Sequence, residues 1–294
     1  MSFLISILEQ IILFLPLTFG IYISYVILQT TDITVDGSFV LGACVFAALI
    51  NIGFSSILAT LGAIIIGALA GTFVSFISRR NKISPLIASI LVLFMLQSIN
   101  LQIMGRPNIS IARERTLYAK LTSMFPVYAE HIIIFLCVLC VALVLLFLLA
   151  TRLGLFLRAC GINRILFARL GKNPEYYRCF GLTLSNALAA LCGVLTAQVN
   201  GYADISMGFG MALIGIGTVT FGQHILKLFY ANSNKFRSPL MGLLGCLVGS
   251  AVYFTALNML LLFGIDPVNL KLFLGLGLIM FLHVAQKTGG NTHE

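Results

Sequence analysis

Apolar runs of membrane length recur along this chain, and no other feature limits its fold as sharply. Phe3–Leu28, Ser56–Ile77, Ser84–Ile103, His131–Leu153, Cys179–Val199 and Leu240–Phe263 are each long, apolar and nearly free of charge. A helix needs about 20 such residues to cross the hydrocarbon core of a bilayer. A soluble fold is excluded on the same grounds: 60% of residues are hydrophobic and 9% charged, with a mean hydropathy of +1.06. Ordinary soluble domains carry about 25% charged residues, so this chain lacks the polar groups to cover a water-facing surface. A β-barrel would show short alternating segments instead of continuous runs. The expected fold is all-α: a polytopic transmembrane helical bundle of about 8–10 spans, with broken or short helices, forming one membrane domain over residues 1–294.

The net charge of +9 would suit nucleic acid, but Lys and Arg sit in the short connections, as the positive-inside rule requires of a membrane protein. No nucleic-acid partner is expected. Arg79-Arg80-Asn81-Lys82 marks one cytoplasmic connection. The longest, Arg152–Arg178, holds Arg158, Arg164, Arg169 and Lys172 between its ends against one acid, Glu175. Lys227, Lys235 and Arg237 mark a third. This places the amino terminus outside, the carboxyl terminus inside and about nine crossings between them, the last over Lys271–Val284. Arg106, Arg113, Arg115 and Lys120, in the connection Gly105–Pro126, fall outside and run against the rule. The first run lacks a basic leader and a small-residue cleavage site, so it reads as a span, with Pro16 as its kink. The seven cysteines form no framework. Cys137 and Cys140 lie inside an apolar run with no second pair or His nearby, which suits packing. His131, His224, His283 and His293 show no ligand spacing, and no metal site is expected.

Two stretches carry functional content. In T-T-D-I-T-V-D-G-S-F-V-L-G, Thr30–Gly42, two of the nine acids, Asp32 and Asp36, stand beside apolar spans, where a carboxylate is costly and usually functional. Gly37 and Ser38 read as a helix break and restart, leaving a short run Phe39–Ile52. D-I-S-M-G-F at Asp204–Phe209 echoes this tract and leads into a second short run, Met211–Leu226. Interrupted segments in corresponding places of two halves suit an inverted repeat around a transport path. Alternatively, both tracts are turns capping the helix that follows, with Ser38 or Asp36 as N-cap. Ala59, Ala63, Gly67 and Gly71 form a small-residue stripe suited to close helix packing, within the subunit rather than at a dimer seam. The second stretch is L-R-A-C-G-I-N-R-I-L-F-A-R-L-G-K-N-P-E. Gly161 and Gly171 bracket about two helical turns. Ile165, Leu166, Ala168 and Leu170 give that short helix apolar surface, while Arg164 and Arg169 can face solvent or another protein. It suits docking to a cytoplasmic partner, or lying on anionic lipid.

T-D-I-T-V-D-G-S-F-V-L-G-A, S-I-N-L-Q-I-M-G-R-P-N-I and S-N-A-L-A-A-L-C-G-V-L-T-A-Q-V-N-G-Y-A-D-I-S-M-G-F-G together resemble, over nearly the whole chain, one family. They are similar to the permeases of ABC importers of the branched-chain amino acid and ribose type, most of all to the branch labelled tryptophan/tyrosine importers. The resemblance implies a permease subunit in the inner (cytoplasmic) membrane, forming the translocation path for an amino acid or related metabolite. It implies as partners an ABC ATPase subunit, an extracytoplasmic substrate-binding protein and a second permease copy, as a homodimer. The ATPase-coupling role falls on Arg158, Ala159, Gly161, Asn163, Arg164, Ala168, Leu170 and Gly171 in the cytoplasmic loop 152–178. Many relatives carry Asp-Asn-Pro where this chain has Ile162-Asn163-Arg164. Candidates for the translocation path are Asp32, Thr34, Asp36, Gly37, Ser38, Asn100, Asn186, Gln198, Asp204 and Ser206. The chain holds no Gly-rich loop ending in Lys-Ser/Thr, so it is expected to bind no cofactor, to leave ATP to the partner subunit and to be no enzyme. The rival is a secondary transporter driven by H⁺ or Na⁺, for which Asp32, Asp36 and Asp204 are the candidate carboxylates.

Overall fold

The computed structural model describes residues 2–79, 83–111, 129–229 and 238–264, together with Leu272, Gly275 and Leu276. Among them are 8 helices long and apolar enough to cross a membrane. The all-α bundle expected from the apolar runs is therefore borne out. Apart from those three residues, the expected crossing Lys271–Val284 lies outside the described residues, as do Arg80–Lys82, Lys235, Arg237 and the connection beyond Ile111. The spans are α1 (Ser2–Ile21, continued by a π-helical turn Tyr22–Ile27), α2 (Thr34–Ile52), α3 (Ser56–Ile77), α4 (Pro85–Met104) and α5 (Ala129–Ala150). Two short helices follow, α6 (Arg152–Ile162) and α7 (Arg164–Arg169), then the spans α8 (Pro174–Asn200), α9 (Met211–Phe229) and α10 (Pro239–Leu262). Several starts are written locally: Ser55, Ser84, Asn173 and Ser238 each accept a backbone N–H, and Pro85, Pro174 and Pro239 open α4, α8 and α10, where a missing N–H costs nothing.

The 27-residue α8 is the axis of the bundle. Its middle, Asn186–Gly193, is mostly small, so α1, α2 and α3 reach it closely. The Cys192 thiol donates to the Leu13 carbonyl at 3.1 Å and Gly20 lies on the Ser185 backbone, so α1 runs against α8. The stripe on α3 faces the same helix: Gly67 meets Ala190 and Gly71 meets Leu182, with Ala59 and Ala63 fully buried. It packs within the subunit, as its spacing implied. α2 runs with α8, from the α7 end of the molecule to Asn51, whose amide donates to the Ser110 carbonyl at 3.2 Å. At that far end β1 (Asn108–Ser110) pairs antiparallel with β2 (Tyr202–Asp204). α10 lies against α1, with the Asn258 amide donating to Gln10 at 2.8 Å and Phe254 edge-on to Phe14. α9 packs on α10 through Gly222, Gly245 and Gly249.

The break in the first half lies earlier than Gly37–Ser38. α2 is continuous from Thr34 through both residues and has 19 residues, so Phe39–Ile52 is no isolated short run; the interruption is Leu28–Ile33. Two interactions decide this. The Asp32 carboxylate takes the Thr34 N–H at 2.9 Å and starts the helix ahead of Gly37. Gly37 itself serves the approach of α4, since a Cβ there would stand 2.9 Å from a Leu96 methyl. Met211–Leu226 likewise belongs to a 19-residue helix, α9, entered through the 3-10 turn Ile205–Gly208.

Gly193 allows the closest approach of α2 to α8: a Cβ on it would run into the Phe39 carbonyl oxygen. Gly193→Ala is expected to cost about 1–3 kcal/mol through overpacking, lowering the thermal unfolding temperature of the detergent-purified protein. An unchanged temperature would mean that the two helices do not meet in this way.

Candidate functional site

The sequence between α1 and α2 must leave one helix and enter another without water to satisfy its backbone. Gln29, at φ 51°, is the one non-glycine residue with positive φ among the described residues, an uncommon conformation for a side chain of that kind. The Thr30 N–H returns to the Ser24 carbonyl at 2.9 Å, and its hydroxyl donates to the Leu28 carbonyl at 3.2 Å. Asp32, 3% exposed, then uses both carboxylate oxygens. Oδ1 accepts the Thr34 N–H and Oδ2 accepts the Asn186 amide at 2.8 Å. The other end of that amide, Asn186 Oδ1, accepts the Ser38 hydroxyl at 2.7 Å. An amide side chain both donates and accepts, so Asn186 joins a carboxylate to a hydroxyl and ties the break to the middle of α8. From α4, the Ser89 carbonyl accepts the Thr34 hydroxyl and the Asn100 amide donates to the Gly37 carbonyl, each at 3.3 Å.

The second tract folds into the same turn. Asp204 Oδ1 accepts the Ser206 N–H at 2.7 Å and its hydroxyl at 2.5 Å, while Oδ2 accepts the Asn108 amide at 3.0 Å. In both tracts, then, an Asp holds the backbone N–H two residues on with one oxygen and an Asn amide with the other. The flanking helices run in opposite senses: α1 enters the first turn toward the α7 end, whereas α8 enters the second away from it. The surroundings differ as well. Asp204 is accessible, and the Ser206 hydroxyl, then the Ser206 N–H and the Asn108 amide, hold its carboxyl below the ordinary carboxylate range.

Asp36 joins the two turns. From the first turn of α2 its Oδ2 accepts the Gly210 N–H at 3.2 Å, and its Oδ1 accepts the Ala212 N–H. A carboxylate at a helix N-terminus satisfies orphan amides and faces the positive end of the helix dipole. Asp36 therefore caps α9 and not its own helix. Asp32, Thr34, Ser38 and Asn186 thus form one buried hydrogen-bonded core, Asn100 reaches the adjoining Gly37 carbonyl, and Asp36, also buried, turns to α9. Asp204 and Ser206 sit together where β2 passes into the 3-10 turn, and Gln198 is buried apart from the core, in the last turn of α8.

The basic end carries the short helix expected between Gly161 and Gly171. Asn163 Oδ1 accepts the Leu166 N–H at 3.0 Å, so α7 is capped by its own Asn. Phe167, 3% exposed, anchors it between the rings of Phe156 and Tyr177 at 6.1 and 5.2 Å. Ile162, Ile165, Leu166 and Leu170 are left exposed, as are Ala159, Asn163, Ala168, Arg169 and Gly171. Two coupling candidates turn elsewhere. Arg158 donates to the Leu149 and Gly154 carbonyls at 3.0 and 3.2 Å and fastens the α5–α6 corner. Arg164 reaches inward, its Nη2 donating to the Thr30 hydroxyl at 3.0 Å. Sequence reasoning missed Arg178, which is 1% exposed, donates to the Ser78 hydroxyl and stands 3.8 Å from Glu175. Its three-residue spacing from Glu175 signals a pair, but nothing in the sequence signals that it is buried.

Paired interrupted helices in a multi-pass bundle are the architecture of a transport protein, and the family follows from comparison. Residues 3–283 match the model described as branched-chain amino acid transport system / permease component. The chain belongs to that family. The permease is 33% identical over 282 residues to the tyrosine transport system permease protein of Clostridioides difficile (strain R20291), covering 96% of this chain and 91% of that one. It is 48% identical over 285 residues to an uncharacterised protein of Rickettsia prowazekii (strain Madrid E), covering 96% and 97%. No solved structure matches it significantly. The family read from the three motifs is borne out.

Asp36→Ala in the permease leaves the Gly210 and Ala212 amides without their acceptor and is expected to cost about 1–3 kcal/mol; Asp36→Asn, which keeps one acceptor oxygen, should cost less. Thermal unfolding in detergent measures both, and equal loss in the two variants would count against capping. Asp204 adds a pH dependence. Its carboxyl is lowered in the folded protein, so its contribution is complete above the unfolded value of about 3.9 and lost as pH falls through the lowered one. The unfolding temperatures of wild type and Asp204→Asn should differ by a constant amount from neutral to mildly acidic pH and converge in stronger acid.

Proposed function

We propose that this permease is the membrane subunit of an ATP-binding cassette importer in the cytoplasmic membrane, moving an amino acid or related small metabolite inward. The observation that carries this reading is α7. A six-residue helix is pinned from behind by Phe167 and presents Ile165 and Leu166 outward, flanked by exposed Ile162 and Leu170, at the basic end of the bundle. By the positive-inside rule that end is cytoplasmic. Apolar side chains held on so short and rigid an element suit insertion into a cleft on a partner, and family membership points to an ABC ATPase subunit as that partner.

In this reading the chain has no catalytic role and no cofactor of its own; ATP is bound by the partner. ATP binding draws a pair of ATPases together, α7 follows, and the permease pair rocks between outward and inward openings. Solute arrives from an extracytoplasmic binding protein, and a second copy of the chain completes the path. The solute class rests on the relative whose name records tyrosine transport. An ion-driven mechanism is less well supported, because both oxygens of Asp32 are already engaged by Thr34 and Asn186.

Reconstitution with the ATPase and the binding protein tests the proposal. Uptake should require ATP and survive collapse of ion gradients. Uptake that persists in energised vesicles without ATP would sink it. Leu166→Glu should reduce co-purification of the ATPase by roughly tenfold or more, the effect of 1.4 kcal/mol, while leaving membrane insertion intact.

A further inference from the structure

Two contacts join the α6–α7 corner to the break between α1 and α2. Gly161 lies so close to the Ile27 carbonyl that a Cβ would overlap it. Three residues on, the Arg164 guanidinium donates to the Thr30 hydroxyl. Arg164 is half-buried, whereas its neighbours Ile165, Leu166 and Arg169 are exposed; with Phe167, which packs on Tyr177 of α8, it is one of the side chains of α7 turned toward the spans. The target is specific. The Thr30 hydroxyl donates to Leu28 and accepts from Arg164, so it is engaged in both senses. Thr30 follows Gln29, with its left-handed backbone, and precedes Asp32 by two residues.

The ground on either side of Thr30 is firm. On one side, α7 is clamped by Phe156, Phe167 and Tyr177. On the other, Asp32, Asn186 and Ser38 fix the start of α2 to α8, and Asp36 carries the connection to the first amides of α9. Between them lies the non-helical segment Leu28–Ile33, the kind of short linker that absorbs backbone rotation when packed elements shift.

We propose that Arg164 is the strut that transmits displacement of α7 to the α1–α2 break: a positioning residue for transport, and not a contact for the ATPase. This rests on α7 being the docking helix. Pushing or pulling α7 moves the Arg164 guanidinium, which shifts Thr30 and rotates the linker. The polar core then reorients α2 and α9 together.

The test uses the full complex of permease, ATPase and binding protein, comparing Arg164→Ala, Arg164→Lys, Thr30→Val and the double variant Arg164→Ala/Thr30→Val. ATPase co-purification and ATP hydrolysis should stay near wild type in all four. Solute moved per ATP hydrolysed should fall by roughly fivefold or more in Arg164→Ala and Thr30→Val. The double variant should be no worse than either single one, and Arg164→Lys, which keeps a donor, should recover part of the loss. Thr30→Val is nearly isosteric and reads the same contact if Arg164→Ala fails to assemble. The strut is overturned if Arg164→Ala releases the ATPase, if solute moved per ATP is unchanged, or if the two single losses add. Failure of the wild-type permease to co-purify with the ATPase would instead overturn the docking reading beneath it.

Discussion

Everything in the first half of this permease hangs on one hydrogen bond, from the Asn186 amide to the Asp32 carboxylate. A carboxylate buried in an apolar bundle is costly unless its oxygens are engaged. Here one oxygen takes the first amide of the restarting helix and the other takes an amide from the middle of α8. The bond does two tasks at once. It makes a break in a membrane helix tolerable, and it fixes the point along α8 from which α2 departs. Ser38, on the other end of the same amide, locks the rotation of α2 about its axis.

That polar fixture works because the helices around it are thin. α8 offers alanines and glycines where α1, α2 and α3 cross it, and those helices offer glycines in return. Close backbone approach shortens the distance that Asp32, Ser38 and Asn186 must span. In lipid no hydrophobic drive pulls helices together, and packing of small residues plus hydrogen bonds across helices must do so instead. The small-residue seams and the buried amide are two parts of one solution.

The bundle was legible because apolar runs of crossing length have no other physical use, and the α3 stripe because four-residue spacing names a helix face. The echo between Asp32–Ser38 and Asp204–Phe209 was legible as a pattern, and its shared turn bears the pattern out. The position of the first break was not. Gly37 and Ser38 look like breakers, and only the tertiary approach of α4 and the hydroxyl contact to Asn186 explain them inside a helix. Arg164 and Arg178 read as surface cations among many, since burial of a guanidinium depends on what Thr30 and Ser78 present from distant segments. The β1–β2 pair was hidden too, because strands of three residues are too short to show alternation.

The two turns also constrain how far their halves can be alike. Aligning Asp32 with Asp204 sets Asp36 against Gly208, and Gly208 packs on the backbone of Asp36 itself. A second acid at Gly208 would bring another carboxyl group against the one that caps α9. It would also overlap the backbone it rests on. If these halves descend from a duplicated segment, symmetry had to fail at this pair first. One copy keeps the carboxyl group, the other gives up its side chain, and the asymmetry decides which of the two interrupted helices is held by the other.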